Sequence, residues 1–266
     1  MFFAADKRAK LEKQSLYWWE PSDKRINVGD YLSKVIVSEV LSLRDQEIQD
    51  KKDKSKRLFA IGSILHFAKS NECVWGSGVN WKLDSAMHRF SGLDVRAVRG
   101  PLTRDYLTRR AISVPEIYGD PALLMPLFFP ADLLRPEARG SVPYLVIPHL
   151  HEPAEKFGAH REHVLLPTCK PATFVAELLR ARLVISSSLH GIILAEAYSI
   201  PALYLEMGNG ESRLKYDDYY YGTGRMNYHT AGSVEEGLEM GGNSAFDLPR
   251  IQQGLLGAFP WDQWGE

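Results

Sequence analysis

Apolar positions in this chain fall into short blocks separated by stripes at helical spacing. Leu32, Val35, Ile36, Val40 and Leu41 recur every three or four residues, so a helix is expected from about Asp30, as its N-cap, to residue 43. Short apolar runs bounded by glycine, at 58–61, 73–75 and 95–98, suit buried strands of a parallel sheet. Arg99-Gly-Pro101 then opens a helix with proline in its first turn, and Gly119-Asp120-Pro121 repeats the device. Further on, strands are expected at 144–147, 163–166, 183–186 and 202–205, and helices at 171–180 and 189–198. Such alternation predicts an α/β fold with right-handed crossovers and parallel sheets. A Pro-, Arg- and Gly-rich stretch at 131–143 divides it into two α/β halves, 1–138 and 139–266. Two such halves face a cleft, where the ends of the strands place ligands.

Length and charge narrow the class. A chain of 266 residues, 45% hydrophobic and 24% charged, buries a full core without staples. Its 32 Lys and Arg against 33 Asp and Glu argue against a nucleic-acid partner. Only Cys73 and Cys169 are present, which fits a reducing compartment, and the first residues lack the apolar core of a signal peptide. The protein is therefore expected to be cytoplasmic. The segment from Asp6 to Trp19 mixes basic residues with Leu16, Tyr17, Trp18 and Trp19. It reads either as a terminal helix packing its aromatics on the body, the favoured reading, or as an amphipathic helix on a membrane surface.

The strongest local signal is Ser186-Ser-Ser-Leu-His190-Gly191, where an apolar strand meets an apolar helix. Helix N–H groups, the hydroxyls of Ser187 and Ser188, and a glycine at Gly191 would cradle a phosphate or carboxylate, with His190 beside it as a general acid. Arg99, leaving a strand at its C-terminal edge, suits bidentate binding of an anion or else a salt bridge to Asp105 or Glu116. Asp30 and Asp120 each follow glycine before a helix: capping explains both, and both could act as bases toward sugar hydroxyls. The polar, aromatic segment from Arg213 through Lys215, Asp217 and Tyr219 to Arg225 suits a sugar or an anionic donor, or is a structured surface loop. His149-x-His151 with Glu152, and His160-x-x-His163, are incomplete as metal ligand sets, and no metal is expected. Gly76-Ser-Gly78 lacks a third glycine, and neither a Walker lysine motif nor Asp-x-Asp occurs.

Taken in order, Asn27-x-Gly-Asp30, Gly76-x-Gly78, Arg99 before a Thr-containing helix, Gly119-Asp-Pro121 and Ser187-x-Leu-His190-Gly resemble the polysaccharide pyruvyltransferase family. The similarity runs from about Trp18 to the C-terminus. It is strongest toward the branch that ketalates xanthan, through Val95-Arg-Ala-Val-Arg-Gly-Pro101 and Lys215-Tyr-Asp-Asp-Tyr-Tyr220. The resemblance implies a glycosyltransferase-B-like fold of two Rossmann-like halves and ketal formation from phosphoenolpyruvate, with no cofactor beyond that co-substrate. It implies an acceptor that is the terminal sugar, a mannose taken at O4 and O6, of a lipid-linked oligosaccharide of an exopolysaccharide, met at the cytoplasmic face of the inner membrane. It carries His190 and Asp30 over as catalytic residues, and Arg99 and Leu189 as donor contacts, with the first half on the acceptor side and the second on the donor side. Asp120, Asp217 and Tyr219 are expected on the acceptor. Many members have arginine where this chain has Ser188, so Arg213, Lys215 and Arg225 are the cations expected to replace it. The alternatives are a nucleotide-sugar glycosyltransferase of the same fold and a glycan-binding subunit without catalysis.

Overall fold

The computed structural model describes residues 10, 12–23, 25–134, 139–208 and 210–264. Two parallel four-stranded sheets organise it. The first runs in sequence order through β1 (Leu16–Tyr17), β2 (Leu58–Phe59), β3 (Cys73–Trp75) and β4 (Asp94–Ala97). The second runs through β5 (Leu145–Ile147), β6 (Val184–Ser186), β7 (Ala202–Leu205) and β8 (Thr230–Ala231). Every residue of β3, β6 and β7 is buried, as strands covered on both faces require. The α/β class and the parallel sheets follow the hydrophobic pattern. The terminal strands β1 and β8, of two residues each, were not expected, being too short to carry a pattern.

Helix α1 (Val28–Ser42) buries Val28, Leu32, Ile36 and Val40 on one stripe, with Val37 and Leu41 beside it. It starts two residues before the expected cap: Asn27 is the N-cap, and Asp30 lies inside the first turn. Ser33 on this helix both donates to and accepts from the backbone of Ile61, which ties α1 to the chain leaving β2. Helices α2 (Pro101–Thr108), α3 (Pro171–Leu178) and α4 (Leu189–Ala197) fall where the pattern places them. The expected strand at 163–166 is reduced to a bridge between Val146 and Val164, because a kinked 3-10 segment, Ala154–His163, delivers the chain there. The expected polar loop from Arg213 to Arg225 contains instead α5 (Leu214–Gly222), whose Tyr216, Tyr219 and Tyr220 are fully buried. Helices α6 (Val234–Met240) and α7 (Leu248–Gly257) complete the chain.

The last helix does not stay with the second sheet. The Trp75 indole donates to Leu255 O at 2.8 Å, Gln252 donates to Leu123 O, and Arg96 pairs with Asp262 at 2.8 Å. The C-terminal residues thus close the core of the first half, although the boundary drawn from sequence assigns them to the second. Near the N-terminus residues 12–15 are helical, as expected, and Leu16 and Tyr17 continue as a strand. Tyr17 stacks on Phe59 and Trp18 is buried, so these aromatics pack on the body. The basic residues from Asp6 to Ala9, and Leu11, lie outside the described residues. Among the described residues no helix is long and apolar enough to cross a membrane.

Candidate functional site

Segments leaving the C-terminal ends of strands in both sheets converge on one cleft. Ser63 to Phe67 follow β2, Asn80 to Leu83 follow β3, His149 to His151 follow β5, Ser188 to His190 follow β6, and Glu211 to Lys215 follow β7. Together with Trp19, Asn27 and Asp30 they line a cavity of about 380 Å³, within the range of small-molecule sites. Two other cavities of similar size lie elsewhere, beside Lys52 and beside Arg225, and neither gathers strand ends from both sheets.

His190 and Asp30 both line this cleft, close enough for the imidazole to act on the carboxyl. His190 sits in the first turn of α4, and its ring lies across Gly29 in the first turn of α1. A Cβ at residue 29 would overlap His190 Nδ1, so only glycine lets the two helix starts approach this closely. Asp30 accepts from Asn27 Nδ2. Burial pushes its carboxyl up to about 6, although His190 and Lys215 pull the other way. Asp120 is fully buried. Its Oδ1 accepts from Ala122 N at 3.0 Å, capping the turn Pro121–Leu124, while its Oδ2 lies 3.4 Å from His190 Nε2. Capping is therefore the role the structure gives Asp120, and the expected acceptor contact is not: the carboxylate is closed off from the cleft.

The same cleft holds a knot of charges. Glu211 pairs with Lys215 at 2.6 Å and with Lys82 at 2.8 Å, and lies 3.6 Å from His149 Nε2. Burial raises the Glu211 carboxyl, but the lysines outweigh it and bring it down to about 2. Lys215 is lowered by burial and partly restored by Glu211. Burial, with Lys215 adding to it, brings His149 down to about 4, so its imidazole is neutral at pH 7. No group of three or more metal-ligating side chains occurs among the described residues. Lys82, Glu211 and His149 were not singled out as site residues from sequence, because they sit in loops whose place at the cleft depends on the tertiary fold.

The Ser-rich junction divides its work. Ser186 Oγ donates to Ile147 O and Ser188 O, and Ser187 Oγ donates to Glu152 and accepts from His149 N. Those hydroxyls hold the turn in shape, and Ser187 is buried, so it is not a ligand contact. Gly191 gives room for Ser186 Oγ and Ile147 rather than for an anion. Ser188 and Leu189 do line the cleft, and Ser188 makes no side-chain cap, so the first-turn N–H groups of α4 keep their outward valence.

Five expected contacts lie away from the cleft. Arg99 is 1% exposed and donates to Asp218 Oδ2 at 3.1 Å and to Ser63 Oγ at 2.7 Å, so its partner is neither Asp105 nor Glu116. Asp218 also accepts from the N and Oγ1 of Thr103, so the arginine–threonine motif clamps α5 to the start of α2. Arg225 is held in a two-pronged pair with Glu196 at 2.6 and 2.7 Å, and Tyr219 donates to the same carboxylate at 2.6 Å. Asp217 accepts from the Tyr228 hydroxyl, and half-exposed Arg213 pairs with Glu206 at 3.1 Å. Of the three cations expected to compensate for Ser188, Lys215 alone lines the cleft.

No curated protein and no solved structure matches the chain significantly. A family model described as polysaccharide pyruvyl transferase matches residues 26–209, a span that begins one residue before Asn27 and includes Asp30, Arg99, Asp120 and His190. That span is more than half of the 266 residues, and the chain belongs to the polysaccharide pyruvyl transferase family of transferase enzymes.

Proposed function

We propose that the protein is a ketal pyruvyltransferase that uses phosphoenolpyruvate as donor and two hydroxyls of one terminal sugar as acceptor. The observation that carries this reading is that one cleft gathers His190, Asp30, Lys82 and Lys215 from both halves. The donor carries a carboxylate and a phosphate, and lysines with helix N–H groups are the groups that bind them. Lys215, Lys82 and the first turn of α4 take that role in place of the arginine that Ser188 replaces. The two halves act as a glycosyltransferase-B-like pair, with the donor over the second sheet. Trp19, Phe67 and Trp81 on the first side offer apolar faces to a sugar ring.

His190 gives a proton to the donor methylene carbon, and C2 becomes an oxocarbenium-like centre. The first sugar hydroxyl adds to C2 and its proton passes to Asp30, a carboxylate whose raised proton affinity suits a general base near neutral pH. The C2–O bond to phosphate then breaks with its electron pair leaving on phosphate, which takes up a proton. The second hydroxyl adds to C2, loses its proton, and closes the ketal. The acceptor is a mannose, taken at O4 and O6, on a lipid-linked exopolysaccharide repeat unit at the cytoplasmic membrane face.

The test is acceptor-dependent phosphate release from phosphoenolpyruvate, with mass spectrometry of the glycan. A mass gain of pyruvate minus water on a β-mannose terminus is the expected result. Silence on mannose, glucose and galactose termini, together with no donor binding, overturns the reading. Near-normal turnover in folded His190→Ala removes His190 from the mechanism.

A further inference from the structure

Two buried polar atoms face each other across the junction of the halves, and no other group satisfies either. Asp120 Oδ2 and His190 Nε2 are both shut off from solvent without a hydrogen-bond partner, 3.4 Å apart. Each comes from a different half: Asp120 from the segment after β4, His190 from α4. Asp120 has little freedom, because its other oxygen caps the turn at Ala122 and its side chain is fully buried. A buried carboxylate oxygen and a ring nitrogen left unpaired each carry a desolvation penalty that nothing offsets. A proton on Nε2, donated to Oδ2, satisfies both at once.

We infer that Asp120 is a positioning residue that holds His190 in the tautomer with its proton on Nε2, leaving Nδ1 as the nitrogen that exchanges protons with the reactants. The inference rests on His190 being the acid of the proposed reaction. Gly29 completes the arrangement, since its missing side chain is what lets the Nδ1 edge lie over the first turn of α1, next to Asp30. The other charged groups acting here are Asp30 itself and Lys215. In the loaded state Nδ1 also carries a proton and the Asp120 carboxylate stabilises the imidazolium. That proton leaves to the donor carbon, and the ring returns to neutral with Nε2–H still on Asp120. Carboxylate support of this kind orients the ring as well as charging it.

Asp120→Asn separates this from a merely structural role. The amide oxygen keeps the cap on Ala122, but an NH2 group replaces Oδ2 and donates, so Nε2 must accept and the ring proton moves to Nδ1. Nitrogen-15 spectra of the full-length protein with labelled histidine report the tautomer at neutral pH, with the His190 signals assigned by their loss in His190→Gln. The expected results are Nε2–H in the parent protein and Nδ1–H in Asp120→Asn. With these, kcat falls by on the order of 10²- to 10⁴-fold and KM for phosphoenolpyruvate stays within a few-fold. An Nδ1–H tautomer in the parent protein overturns the pairing without any variant having to fold, and an unchanged tautomer in Asp120→Asn does the same. A switched tautomer with unchanged kcat leaves the pairing standing and overturns His190 as the acid, so the two failures are distinguishable.

Discussion

Replacing Asp30 by asparagine should stabilise the protein at neutral pH while abolishing turnover. Burial moves the Asp30 carboxyl from its ordinary 3.8 to about 6 in the fold, a rise of about 100-fold in proton affinity. Each tenfold step corresponds to about 1.4 kcal/mol, so the ionised carboxylate costs the native state up to about 3 kcal/mol. Asp30 borders an open cleft, and solvent there screens part of this, which leaves about 1–3 kcal/mol. Because the folded protein binds this proton more tightly than the unfolded chain, its contribution is full below pH 3.8 and is lost as pH rises through 6. Asparagine is neutral throughout and keeps a carbonyl to accept from Asn27. Urea unfolding, followed by tryptophan fluorescence, should give Asp30→Asn a higher midpoint than the parent at pH 7 and an equal one near pH 4. Phosphate release should fall by at least 10²-fold. A variant less stable than the parent at pH 7, or a gain of the same size at both pH values, would refute the reasoning.

Gly29→Ala puts a methyl group where the His190 ring lies, so kcat should drop by at least tenfold, with the circular dichroism of the parent retained. Arg225→Ala leaves Glu196 buried without its cation and should cost about 3–5 kcal/mol in chemical denaturation. Its KM for phosphoenolpyruvate, measured on the folded fraction, should be that of the parent, since Arg225 lies outside the cleft. Glu211→Gln releases Lys82 and Lys215 from a competing carboxylate and should lower the KM for phosphoenolpyruvate several-fold in steady-state kinetics. A raised KM would mean that Glu211 holds the lysines in their binding geometry instead.

What the sequence revealed of the site was the part written in local pattern. His190 follows an apolar strand and opens an apolar helix, so strand–helix logic delivers it to a sheet edge, and Asp30 was legible from the apolar stripe of the helix whose first turn holds it. Asp120 was legible as a cap for the same reason. The partners of the arginines were not. Arg99 finds Asp218, 119 positions later, and Arg225 finds Glu196 through a fold that no spacing encodes. The 213–225 segment misled because three of its tyrosines look like a sugar platform, whereas Tyr216, Tyr219 and Tyr220 are core residues whose hydroxyls find buried partners. A tyrosine reads as polar in a pattern and packs as an aromatic, so a helix rich in it loses its apolar stripe on paper.

The distribution of cations follows from what each can do when buried. A guanidinium stays charged under any burial and grips a carboxylate with two prongs, so it is suited to lock helices together. Arg99 and Arg225 do this, each anchoring α5 or its neighbours through a carboxylate inside the protein. An ammonium or imidazole gives way when desolvated, as the lowered Lys215 and His149 show, and such groups answer to the charge of whatever enters. The cleft is lined by these softer groups and by Glu211, whose carboxylate accepts a hydrogen bond from each lysine. A dianionic donor would compete with Glu211 for these two ammonium groups, which is why Glu211→Gln should tighten its binding. Lys82 comes from the first half and Glu211 from the second, so the same carboxylate also ties the two halves together.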